Sequence, residues 1–99
     1  MPSESMTGRY SLAVAAVSAF FGRFYGGDVF ASDDVEEEAV LFRVGEMRKT
    51  VAVAADFLEF DVDEIPEKLA AWNVAHLSRT LERGCRLKVT SEGPEEERD

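Results

Sequence analysis

One histidine, one cysteine and one run of carboxylates are the residues of this chain with chemistry to offer. A histidine is the natural proton carrier near neutral pH, but no Ser or Cys stands at a spacing that would pair His76 with a nucleophile. Helical spacing puts His76 beside Trp72 and Leu69, where a partly buried ring holding one hydrogen bond is the simpler reading. Cys85 follows Arg83 and precedes Arg86, and neighbouring cations favour a thiolate. It also opens an alternating stretch, Cys85, Leu87, Val89, whose odd-numbered positions face inward. A cysteine placed so is a small, inert hydrophobe. The run Asp33-Asp34-Val35-Glu36-Glu37-Glu38 gathers carboxylates of the kind that hold Ca²⁺ or Mg²⁺. It lacks the spaced acid–Gly–Glu order of an EF-hand loop, so a solvated acidic connection is the expectation.

Other chemistries find less support. A lone cysteine permits neither an intramolecular disulfide nor a multi-cysteine zinc site, and it fits a reducing, cytoplasmic setting. Gly22, Gly26 and Gly27 match neither dinucleotide nor P-loop spacing. Phe42-Arg43 is the sole aromatic–cation pairing, too little for a base-stacking surface. Twenty acidic residues against eleven basic ones give a net charge of −9, which repels phosphate backbones and anionic lipid. The apolar run Leu12 to Phe21 is too short to span a bilayer. No catalytic, cofactor-binding or metal-ligating residue is therefore assigned, and neither nucleic acid nor membrane is expected as a partner.

The elements that position these residues follow from periodicity. Residues 1–8 read as a flexible leader, residues 9–90 as a single domain, and 91–99, with Gly93, Pro94 and five acids, as a disordered acidic tail with nothing to pack. Leu12, Ala13, Ala16, Val17, Phe20 and Phe24 recur at helical spacing up to Gly26-Gly27, which predicts a first helix with Val14 and Phe21 off that face; a strand starting at Tyr10 is the alternative. Asp28 to Glu38 reads as a connection. Val40, Phe42 and Val44, then Val51, Val53 and Ala55, alternate about Gly45-Glu46 as a hairpin with a type II′ turn. Phe57, Leu58 and Phe60 offer a third strand. Asp63 as N-cap, Pro66 in the first turn and Gly84 as stop predict one long helix, followed by a strand from Cys85.

The sum is an α+β, two-layer single domain in the order helix, β-hairpin with a third strand, helix, strand, built on an antiparallel sheet. No residue motif ties it to a named family. Large apolar side chains exceed what one small sheet can cover: Phe20, Phe21, Phe24 and Tyr25 on the first helix, and both sides of the second, where Trp72, Leu77 and Leu81 lie. Such an excess marks an interface. The expectation is a non-catalytic interaction module that binds itself as a homodimer or another protein as an adaptor subunit, with Phe20, Phe21, Phe24, Trp72, Leu77 and Leu81 as interface residues. The rivals are an acidic nucleic-acid mimic that regulates a basic partner, and a small enzyme or metal site using His76, Cys85 or the acidic loop.

The turn supplies the first prediction. A II′ turn needs positive φ at its first central residue, so Gly45→Val should lower stability by more than about 1 kcal/mol in denaturant unfolding. An unchanged midpoint would rule out that turn.

Overall fold

A computed structural model describes residues 6–44, 50–81 and 85–98. The Gly45-Glu46 turn and the Gly84 stop lie outside the described residues. Two helices, α1 (Met6–Arg9) and α2 (Ser11–Tyr25), precede three strands, β1 (Val29–Asp34), β2 (Ala39–Val44) and β3 (Thr50–Ala54). Short helices α3 (Ala55–Leu58), α4 (Glu64–Ala71) and α5 (Val74–Arg79) lead to β4 (Cys85–Thr90) and β5 (Gly93–Arg98). The chain is α+β, as the periodicity implies.

The sheet is mixed, whereas the sequence suggested an antiparallel one. Its order is β1-β2-β3-β4-β5, antiparallel throughout except for β3 and β4, which are parallel with Val51 opposite Leu87 and Val53 opposite Val89. Helices α3 to α5 carry the chain back across one sheet face. The strand that follows therefore starts at the same end as β3, as parallel neighbours joined by a crossover must.

One face of this sheet is dry. Val40, Phe42, Val51, Val53, Leu87 and Val89 are buried and join Val14, Val17, Phe21, Ile65, Leu69 and Val74 in one core. The opposite face carries Leu41, Arg43, Arg86, Lys88 and Glu97, with the small Ala52 between Leu41 and Lys88 in register.

Four local expectations change. Val29–Asp34, read as part of an acidic connection, is edge strand β1, because Val29 and Ala31 lie inward against the core while Phe30 and Ser32 point out. Phe57 and Leu58 are buried from a helical turn rather than from a third strand. The helix expected from Asp63 to Leu81 breaks at Asn73, which takes a left-handed φ of 57°. Asparagine tolerates that conformation better than other non-glycine residues. Asp63 stands at the N-terminal boundary of α4 but its carboxylate accepts no capping amide; the amides of Glu64 and Ile65 donate to the Asp61 carbonyl.

The fourth change is the tail, which is a strand and not disordered. Gly93, at φ 129°, lets the chain reverse after Ser91 and Glu92. Ser91 donates from its amide and its hydroxyl to the Asp56 carboxylate, at 3.2 and 2.8 Å. Arg86 Nε lies 3.4 Å from Glu97 Oε1, and Lys88 faces Glu95 across the ladder. Backbone pairing and opposed charges hold this segment where apolar burial is scarce. Proline and three successive glutamates also suit an edge, since they discourage further strand addition.

Ending the chain after Glu92 should therefore lower the unfolding midpoint by more than about 5 °C, because it strips the ladder from β4 and uncovers the side of Val89. A midpoint unchanged in thermal unfolding would return the segment to the status of a free tail.

Candidate functional site

The three chemical candidates are not brought together. His76 is exposed on α5: the break at Asn73 turns Val74, Ala75 and Ser78 inward and leaves His76 and Leu77 outside. The partly buried ring expected from a continuous helix is not what the chain forms. Cys85 is half-buried at the start of β4, opposite Arg98. The acidic run lies at the other end of the sheet, where β1 turns into β2 and where β4 ends. Local structure already engages several of its carboxylates. Asp33 accepts the Thr7 amide at 2.8 Å, Asp34 accepts the Glu37 amide at 3.3 Å, and Glu37 lies 3.5 Å from Lys88 Nζ. Among the described residues no group of three or more His, Cys, Asp or Glu could hold a metal ion.

Among the described residues an apolar groove runs beside α2. It encloses about 650 Å³ between α2 and the start of α4, lined by Ala16, Ala19, Phe20, Phe24, Val62 and Pro66, with Arg23 and Asp63 as its charges. Helix geometry creates it. At about 100° per residue, Val14, Val17 and Phe21 point to the core, so Leu12, Ala15, Ala19 and Arg23 point away from it. Among the described residues nothing covers that outward side. Leu12 is 73% exposed and Phe24 44%.

The expected interface residues divide. Phe20 and Phe24 line the groove. Phe21 is fully buried against Phe42, with ring centroids 6.3 Å apart, and Leu81 is buried too; both belong to this chain's own core. Trp72 packs on Phe57 at 5.8 Å beneath Lys68. Leu77 borders a smaller hollow of about 180 Å³ with Leu81, Leu87 and Pro94. Leu12, Val62 and Pro66 were missed. A signal for the first was present: from Ser5 to Gly27 this acidic chain has no carboxylate at all.

Charge is segregated along the strands. The Glu38 carbonyl accepts the Ala55 amide, and Asp56 holds Ser91, so Glu36, Glu37, Glu38, Asp56 and Glu92 share one end of the sheet. Arg43, Arg86 and Arg98 gather toward the other. Helix α2 is anchored across the core by Tyr25, whose hydroxyl is 2.5 Å from Ser78 Oγ, which in turn donates to the Ala75 carbonyl at 2.7 Å.

Comparison with known proteins gives no match: no protein-family model, curated protein or solved structure matches the chain. No helix among the described residues is long and apolar enough to cross a membrane.

The Tyr25 link separates stability from surface. Tyr25→Phe deletes a hydrogen bond while Ser78 keeps its carbonyl partner, so unfolding should show a loss of about 1 kcal/mol. The groove should be unaffected, and a loss of association without any loss of stability would mean that Tyr25 belongs to the surface instead.

Proposed function

We propose that this chain is a small, non-catalytic protein-interaction module of the cytoplasm, acting as a homodimer or as an adaptor subunit, whose docking side is the outward surface of α2. The observation that carries the reading is the groove: large apolar side chains at Phe20, Phe24 and Val62 stay accessible although the core is closed beneath them. Contiguous apolar surface of this kind is costly to leave in water and is usually an interaction site. Arg23 and Asp63 supply polar points at which a partner's orientation can be fixed.

The banding of carboxylates at one end of the sheet supports a second reading, an acidic regulator of a basic partner. The two readings have opposite salt behaviour, since apolar docking survives screening and a charge-driven contact does not.

Affinity capture with the full chain, set against Phe24→Glu and Val62→Asp, tests both. Retained chains should be lost with these variants and persist through about 0.5 M salt. Capture indifferent to both substitutions would defeat the groove as the docking side. Capture abolished instead by salt and by Glu36→Gln with Glu38→Gln would establish the acidic end in its place.

A further inference from the structure

We infer that Phe60 and Trp72 form a binding site for an alkylated ammonium group, a site that Lys68 fills in the free chain. Lys68 Nζ lies 4.5 Å from the centre of the Phe60 ring and 5.7 Å from that of Trp72. Both distances fall within the roughly 6 Å over which an aromatic ring attracts a cation. The two rings share a wall. Phe57, fully buried, meets Phe60 edge-on at 5.5 Å and Trp72 at 5.8 Å. Backbone bonds set the ring positions: the Phe60 amide donates to the Phe57 carbonyl at 3.2 Å, and the Trp72 amide to the Lys68 carbonyl at 2.9 Å. The site is thus built on the closing turns of α3 and α4.

The choice that Lys68 makes identifies the class of ligand. Glu64 stands four residues before it on α4, the spacing at which a glutamate pairs with a lysine. Among the described residues no carboxylate pairs with Lys68, and its ammonium faces the rings instead. A primary ammonium is strongly hydrated and gives up water to sit there. An ammonium whose hydrogens are replaced by methyl groups holds water less tightly and adds apolar surface, so it gains more from the same rings. Exchange returns Lys68 to water and to the reach of Glu64.

Charge and access favour the arrival of such a cation. Residues 59–68 carry Glu59, Asp61, Asp63, Glu64 and Glu67 against Lys68 alone, and all five carboxylate residues are exposed. Phe60 and Trp72 are only half-buried, so a ligand can reach their faces. Neither ring nor Lys68 lines the groove beside α2, and this site therefore stands or falls independently of the interaction-module reading.

Trp72 is the single tryptophan of the chain and reports on the site directly. Choline chloride added to the full chain up to about 100 mM, at constant ionic strength, should change its fluorescence saturably. Lys68→Gln should lower the half-saturating concentration at least about threefold, because it removes a tethered competitor whose effective concentration is millimolar. Choline's neutral isostere, with a tert-butyl group in place of the trimethylammonium, should bind at least about fivefold more weakly. Phe60→Leu in the Lys68→Gln background should lose the response. A peptide carrying trimethyl-lysine, titrated alongside, separates the two sources of such a group. Tighter binding than choline assigns it to a protein side chain, and equal or weaker binding to a small free cation. Failure of both probes to saturate Lys68→Gln, an isostere that binds as well as choline, or half-saturation indifferent to Lys68 would each overturn the inference.

Discussion

Burial of a single sheet face is the constraint from which the rest of this structure follows. Val40, Phe42, Val51, Val53, Leu87 and Val89 present one apolar surface, and α2 to α5 are held to it by residues such as Phe21, Phe57, Leu69 and Val74. Each such side chain, fully removed from water, contributes about 1.5–3 kcal/mol before entropy is set against it. With helices confined to one side, the layer has an inside and an outside. A helix whose inner side is Val14, Val17 and Phe21 must show Leu12, Ala19 and Arg23 to whatever lies beyond.

How far this was legible in the sequence depends on the range of the forces involved. The first helix, β2 with β3, and β4 are written in local periodicity, and the apolar positions of the strands form the core; on the helix, Val14 and Phe21, which lie off the periodic row, are core while Leu12 and Phe24 of that row are exposed. The break at Asn73 was not, because Trp72, His76 and Leu77 continue the helical pattern across it and only the backbone conformation of one asparagine interrupts them. Strands β1 and β5 were hidden for a different reason: Asp33, Asp34 and Glu95 to Glu97 read as solvated. An edge strand needs only one inward side and a partner ladder. Complementary charges, Glu97 with Arg86 above all, are visible only once the register is known. Phe20 and Phe24 of the groove could be found from apolar excess, yet that reasoning also chose Phe21 and Leu81. Excess alone does not tell a core side from an outer side.

The candidate chemistry illustrates the same point. Sequence spacing set His76 among apolar neighbours, and the fold put it in solvent; it set Cys85 on an inward alternation, and the fold left it half-buried at the rim of that row. The acidic run owes its shape to local hydrogen bonds, Asp33 to Thr7 and Asp34 to Glu37, with Lys88 answering one carboxylate from across the sheet. Those bonds fix the turn between β1 and β2, and through the Glu38 carbonyl they meet α3. The carboxylates therefore shape the end of the sheet and make it strongly negative at once.

Where association is blocked matters as much as where it is open. A five-stranded sheet has two edges, and each is a template for further strands unless something prevents it. Proline and glutamates occupy β5, while at β1 the Asp33 carboxylate accepts the Thr7 amide of α1. The open sheet face carries Arg86 and Lys88 paired with Glu97 and Glu37 toward β4 and β5, and the exposed Phe30 beside Arg43 toward β1. Carboxylates guard one end of the strands. The outer side of α2 carries apolar surface and no acid. Apolar exposure is not confined to that helix, since Phe30 on the open sheet face and Val35 between β1 and β2 are also exposed; what sets α2 apart is that its exposed apolar row has no carboxylate beside it on the same helix.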